Sequence, residues 1–305
     1  MIYLASEHFV RAPQWTWYIL FYFFFAGLSG GSYVIATLLR LSGEPRDEPA
    51  SRIGYLVALP TLIICPILLT ADLSASWSRF WHMLIDVTPG ENNVIFHYWS
   101  PMSTGAWALM VFGGFVFVSA LDAWLGRTRG GFLLPAAAGR LIGIVGSVLG
   151  LFIASYTGVL LSVSNQPVWS DTWALGGLFL ASGLSGAAAL MAWLIRDHPN
   201  ASFSLGRLHQ ADGYFSILEL ALLIAFFVTL GLAGTLAREL PWLALWAIAV
   251  AGIAASLVEA RGHMRMQASG GSATVAGIRL DTVVVAILVL AGVLAMRAAV
   301  IFSAQ

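Results

Sequence analysis

Four side chains able to donate, accept or hold a charge interrupt apolar runs at what the spacing predicts to be a common level: Tyr22, Asp72, Tyr156 and Arg297. Tyr22 lies about a turn and a half beyond Trp17, and Tyr156 a little over a turn from the end of its own apolar run. Asp72 closes a run, and Arg297 sits in the last turns of the final one. A phenol donates to a carbonyl, a carboxylate relays a proton, and a guanidinium holds that carboxylate ionised or steadies an anion. Apolar walls with a few such groups suit a lipophilic ligand with polar ends, such as a quinone. Taken singly, a tyrosine near an interface is ordinary aromatic belt and an aspartate at a helix end ordinarily meets water; only their convergence makes a site.

Elements that could position such groups must lie in lipid. The 305 residues are 59% hydrophobic and 10% charged, with a mean hydropathy of +0.84, far from the quarter of charged residues usual in soluble chains. Zero net charge argues against a nucleic-acid partner. The lone cysteine, Cys65, excludes an internal disulfide and a cysteine-held iron–sulfur cluster. The first fifteen residues contain Glu7, His8 and Arg11 and lack an apolar core, so no cleavable signal peptide is expected and the first span serves as the insertion signal.

Stretches of roughly 20 apolar residues predict eight transmembrane helices: Trp17–Leu39, Ile53–Leu73, Met102–Leu125, Gly139–Leu161, Trp173–Ile195, Tyr214–Leu236, Trp242–Val258 and Thr282–Phe302. They do not alternate as barrel strands would, so the fold class is all-α integral membrane. All fifteen basic residues are arginine. Loops after the odd spans carry Arg40, Arg46, Arg52, Arg127, Arg129, Arg140, Arg196, Arg207, Arg261, Arg265 and Arg279, whereas the other side has only Arg11, Arg79 and Arg238. This asymmetry predicts extracytoplasmic N and C termini.

Trp15, Trp17, Trp77, Trp81, Trp99, Trp169, Trp173 and Trp242 then fall at or near the outer interface, as a belt or a docking platform. In the long outer loop 74–101, Trp77, Phe80, Trp81, Met83 and Leu84 recur at helical spacing and predict a short interfacial amphipathic helix. Gly27-Leu28-Ser29-Gly30 recurs as Gly183-Leu184-Ser185-Gly186, and the same offset of 156 takes Trp17 to Trp173 and Arg40 to Arg196. The repeat predicts two parallel four-helix bundles, residues 1–165 and 166–305. Its small residues, among them Gly31, also suit plain helix packing.

The six histidines (His8, His82, His97, His198, His209 and His263) are all expected in loops or at helix ends, which argues against a membrane-embedded bis-histidine haem. A smaller set of carboxylates, Asp122, Glu219, Glu259 and Asp281, is expected at the inner level. There they either begin a proton path or pair with neighbouring arginines.

Several short motifs, in order along nearly the whole chain, carry a family resemblance. They are Gly27-Leu28-Ser29-Gly30-Gly31, Ala71-Asp72-Leu73 followed by Arg79-Phe80-Trp81-His82, Ser155-Tyr156-Thr157-Gly158, Gln166-Pro167-Val168-Trp169, and Arg297-Ala298-Ala299-Val300-Ile301-Phe302 with Gln305. With eight spans and an outward N terminus, the chain resembles the polysulfide reductase membrane-subunit family (NrfD/PsrC type), the quinone-handling anchor of molybdopterin oxidoreductase complexes. The resemblance implies a site for menaquinone or ubiquinone near the outer surface of a bacterial or archaeal cytoplasmic membrane. It also implies a docked four-cluster ferredoxin-like iron–sulfur subunit that wires to a molybdopterin catalytic subunit. No haem or iron–sulfur cluster is expected in this chain.

By the same resemblance Tyr156 falls on the family's quinone-binding tyrosine and Asp72 on an acidic residue near the quinone; these two are the candidate catalytic residues. Tyr22, Arg297, Trp17 and His82 complete the candidate cofactor-binding set. Tyr22 stands where the best-aligned family member has a histidine, and Ile19 where it has an asparagine. A phenol, with a pKa near 10, still donates a hydrogen bond but accepts a proton less readily at neutral pH than an imidazole.

The expected role is the quinone-coupling subunit of a respiratory oxidoreductase, either oxidising quinol or reducing quinone. A secondary transporter or ion-translocating protein without a redox role is the alternative, supported by the repeat, the glycine-rich helices and the inner carboxylates. Against it stands the absence from the sequence pattern of a short, broken helix pair with midplane charge.

Overall fold

The structure, a computed structural model, describes residues 13–90, 93–127, 131–199, 201–268 and 281–305. Arg11, Arg129, Arg279 and His8 lie outside the described residues.

Eight helices are long and apolar enough to cross a membrane. They are α1 Trp17–Leu41, α2 Glu48–Asp72, α3 Pro101–Gly126, α4 Ala136–Ser162, α5 Leu175–Ile195, α6 Ala201–Ala233, α7 Leu243–Ala268 and α8 Thr282–Ser303. Their starts follow from local chemistry. Thr16 and Asp281 cap α1 and α8 by accepting from Tyr18 N and Val283 N, and Ser100 caps α3 ahead of Pro101 in its first turn. The long loop between α2 and α3 forms a 3-10 helix, Ser74–Met83, so the amphipathic segment expected there is helical but more tightly wound than an α-helix.

Two boundaries move furthest. The sixth span begins at Ala201, not Tyr214, and the seventh ends at Ala268, not Val258. His209 and Asp212 depress the hydropathy of α6's first turns, yet both are buried against polar partners inside the protein. His209 is therefore inside a helix and not in a loop.

α1 is central, packing on α2, α4, α5 and α8. Close approach needs small residues at the crossings. A Cβ on Gly31 would come within 2.6 Å of Gly183 O, and one on Gly183 within 3.1 Å of Gly27 Cα. The two Gly-Leu-Ser-Gly segments thus meet backbone to backbone where α1 crosses α5. Leucine, isoleucine, valine and phenylalanine side chains such as Ile67, Phe117, Val148, Ile224 and Ile287 stay exposed on the outer helix faces, a surface matched to lipid.

The bundle has two ends. The start of α1 and the end of α8 mark the terminal face. At the opposite, arginine-rich face, Arg40 pairs with Asp122 at 3.0 Å and lies 3.7 Å from the centre of the Phe132 ring. Arg52 pairs with Glu48 at 2.7 Å. Asp47, fully buried, accepts from Arg207 and from Ser204 Oγ, which ties the α1–α2 connection to α6.

Candidate functional site

Near the terminal face, Tyr22 and Tyr156 are both nearly buried and lie within electrostatic range of one another. Tyr22 projects from α1 beside Phe23, their ring centres 5.4 Å apart, and Cys65 of α2 approaches its carbonyl at 3.9 Å. Among the described residues nothing hydrogen-bonds the Tyr22 hydroxyl. Tyr156 of α4 stacks on Phe152 at 5.5 Å and donates to Pro101 O at 2.5 Å, its ring filling the space left by Gly105 of α3. Asp72, half-buried at the end of α2, accepts from Thr16 Oγ1 at 3.3 Å, so the cap of α1 touches the carboxylate that closes α2.

The other expected site residues are elsewhere. Trp17 is exposed, with the Phe302 ring 5.2 Å away. His82 is in the loop between α2 and α3, edge-on to Trp81 at 4.4 Å. Arg297 is fully buried and donates to Phe179 O at 3.0 Å and Val293 O at 3.3 Å, with its guanidinium over the Phe179 ring and against Gly27. Gly27 lies ten residues into α1, about 15 Å along its axis and near the middle of a 30 Å hydrocarbon layer. The structure therefore brings Tyr22 and Tyr156 together, sets Asp72 above them, and carries the Arg297 charge deeper. An arginine's side chain slants toward its helix N terminus, which in α8 means away from the terminal face.

Trp169, expected in the interfacial belt, is buried instead. It donates from Nε1 to Val300 O at 2.6 Å and stacks on Trp15 at 4.9 Å, walling the region behind α1. The preceding residue, Val168, adopts a φ of 73°, a strained value for a β-branched residue, and its N–H bonds Asp171 Oδ2 at 2.9 Å.

A second polar group, incompletely read from sequence, occupies the second half. Glu219, placed by the sequence about a turn inside its span, lies eighteen residues into α6, about 27 Å along the axis, and its charge interacts with that of Arg297. Charge thus sits near the midplane, which the sequence pattern had not shown. Asp212 accepts from Ser185 Oγ at 2.6 Å, and Glu259 faces His209 Nε2 at 3.4 Å. Of the four carboxylates, Asp122 does pair with an arginine, Asp281 caps a helix and Glu259, part-buried, faces a histidine, but Glu219 is an interior group. One available signal was the stripe His209, Asp212, Ser216, Glu219, spaced by three and four residues.

Eight apolar helices enclosing two phenols near one face and buried ionisable groups in the interior define a polytopic membrane protein with a built polar interior. Comparison with known proteins makes this specific: the chain belongs to the polysulphide reductase, NrfD family, whose model matches residues 5–305. It is 28% identical to the C subunit of polysulfide reductase from Wolinella succinogenes over 309 residues, covering 95% of this protein and 94% of that one. It is 29% identical to protein NrfD of Escherichia coli over 253 residues, covering 75% and 74%. A protein NrfD homolog of Haemophilus influenzae is 25% identical over 244 residues, covering 72% of each. Membrane subunits of this family are parts of redox complexes.

Proposed function

We propose that the protein is the quinone-coupling membrane subunit of a respiratory oxidoreductase complex, with its pocket at Tyr22, Tyr156 and Asp72 near the terminal face. The observation that carries this reading is the Tyr22 hydroxyl: a nearly buried phenol with no hydrogen-bond partner among the described residues, beside a second phenol. The hydroxyl keeps unused donor capacity and is not sealed off by the surrounding atoms, so a ligand carbonyl arriving there would take up that capacity. A quinone fits that need, with an apolar ring among Phe23, Phe152 and Cys65 and a carbonyl for a phenol to donate to.

When bound, the quinone supplies two-electron redox chemistry in the membrane. Tyr22 orients it by donating a hydrogen bond. Tyr156 is held against Pro101 and presents its remaining lone pair. Asp72, next to Thr16 and within reach of water, accepts and releases protons. In this reading the terminal face is extracytoplasmic, and residues 1–165 and 166–305 form two bundles. The exposed aromatic side chains Trp77, Phe80, Phe96, Tyr98 and Trp99 receive a four-cluster ferredoxin-like iron–sulfur subunit, which passes electrons to or from a molybdopterin catalytic subunit. The test is the assembled complex carrying Tyr156→Phe or Asp72→Asn. Quinol-linked turnover is expected to fall in both, and unchanged turnover in both overturns the assignment.

A further inference from the structure

A groove runs between α6 and α7 toward the arginine-rich face, on the side of the bundle turned to lipid, well away from the pocket near the terminal face. Gly213 of α6 faces Ala260 of α7, where a Cβ on the glycine would come within 2.5 Å of the alanine Cβ. Small residues at this point draw the two helices together, and the longer side chains around them stand out as walls. Gln210 and Tyr214 rise on the α6 side and Arg261 on the α7 side, while Ile217 and Leu257 continue the groove toward the middle of the bundle. Tyr214, Ile217 and Arg261 are exposed. The groove holds about 340 Å³ including its open mouth, at the small end for a ligand site, so it takes part of a lipid and not a whole one.

Its level follows from the lengths of the helices. Tyr214 lies nineteen residues, about 29 Å, from the end of α6 at Ala233, and Arg261 lies eighteen residues, about 27 Å, from the start of α7 at Leu243. Both of those ends belong to the terminal face, so the two side chains reach the far boundary of a 30 Å hydrocarbon layer, where lipid phosphates begin. The chemistry at that level suits an anion. Gln210 Nε2 donates to Tyr214 Oη at 3.2 Å, so the phenol keeps its own proton to donate outward. Arg261 forms no ion pair among the described residues. Glu259, two residues away, turns instead to His209 Nε2 at 3.4 Å and Thr282 Oγ1 at 3.3 Å. A guanidinium and a phenol O–H thus stand at the polar end with no carboxylate in the groove lining, and apolar walls begin one turn deeper. Arg140 is also exposed on this face but lines no such groove, and it serves as the ordinary interfacial arginine for comparison.

We propose that the α6–α7 groove binds one phospholipid with a net negative headgroup, taken from the leaflet on the arginine-rich side. The lipid phosphate accepts from the Arg261 guanidinium and the Tyr214 hydroxyl, and one acyl chain lies along Ile217 and Leu257. A zwitterionic lipid offers the same phosphate but brings a cation of its own toward Arg261, so it binds less well. Bound in the groove, the lipid touches both helices and adds to the hold of a crossing built on glycine and alanine. The site is independent of the quinone reading.

The experiment is native mass spectrometry of the full chain released from detergent, titrated with phosphatidylglycerol or phosphatidylcholine. Wild type is expected to hold one phosphatidylglycerol about tenfold more tightly than phosphatidylcholine. Arg261→Gln should weaken phosphatidylglycerol binding about tenfold, the loss of a charge-assisted hydrogen bond, and Arg140→Gln should leave it unchanged. Equal affinity of the wild type for the two lipids, or equal losses in the two arginine variants, overturns the site in favour of a general attraction to the basic face. Displacement of the lipid by excess inorganic phosphate makes the site one for a free anion and overturns the lipid. The preference between lipids is read on the unsubstituted protein, so a variant that fails to fold does not decide the result.

Discussion

Tyr156 Oη donates to Pro101 O, and the ring that carries it occupies the space beside Gly105, where a Cβ would overlap it. One phenol therefore pins α4 to the first turns of α3 and forms a wall of the candidate pocket. Tyr156→Phe removes a hydrogen bond worth about 1 kcal/mol while keeping the ring, so the unfolding transition in detergent should fall by only a few degrees. Gly105→Ala keeps the phenol but displaces the ring. Quinol-linked turnover should drop in both variants; normal turnover in Gly105→Ala would show that the ring's position does not matter.

Tyr22 gives the opposite contrast. Its hydroxyl has no partner among the described residues, so Tyr22→Phe removes no internal bond and should leave the unfolding midpoint within about 0.5 kcal/mol of wild type. If the hydroxyl donates to a quinone carbonyl, the same variant should bind a soluble quinone analogue about tenfold more weakly, the equivalent of one hydrogen bond of roughly 1.4 kcal/mol. Quenching of tryptophan fluorescence by the analogue measures this. A destabilised variant with unchanged affinity would make Tyr22 a packing group.

The sequence revealed the helices more fully than the site. Hydropathy located eight spans because apolar residues, facing either lipid or the bundle interior, run along each one. It misplaced the start of α6 because His209 and Asp212 look like loop residues until Glu259 and Ser185 are seen beside them. Trp169 reads as belt because its Nε1 acceptor, Val300 O, is 131 residues away. Arg297 and Tyr22 fall at similar distances from their helix ends, but an arginine's reach carries its charge to the level of Gly27, about a turn and a half deeper. Glycine motifs were visible as a repeat, whereas their meeting at the α1–α5 crossing is a property of the assembled bundle.

Glu219 and Arg297 are buried ionisable side chains on different helices that interact electrostatically without a contact of salt-bridge length. Removing one should cost on the order of 1–3 kcal/mol, because the other loses its nearest opposite group in a low dielectric. Arg297→Met and Glu219→Gln are each expected to lower resistance to unfolding in sodium dodecyl sulfate titrations. The double variant should recover part of the loss, leaving a coupling energy above about 1 kcal/mol in the double-mutant cycle. Strict additivity would mean that the two side chains act independently.

The α1–α5 crossing makes a prediction that separates glycine packing from glycine tolerance. At Gly31 a Cβ would meet Gly183 O at 2.6 Å and Ala187 Cβ at 2.8 Å, and the first obstacle is backbone, which cannot rotate aside. Gly31→Val must push the helices apart, costing at least the 1–3 kcal/mol of an overpacked core, and the shift would travel along α1 to Tyr22. Gly114 of α3 has open space around the position of a Cβ and sits on an exposed face. Gly114→Ala should therefore be neutral or stabilise by up to about 1 kcal/mol through helix propensity alone. Detergent-solubilised protein compared by thermal unfolding should show opposite shifts for the two substitutions. Equal losses at both positions would mean that backbone contact at the crossing does not hold α1 in place.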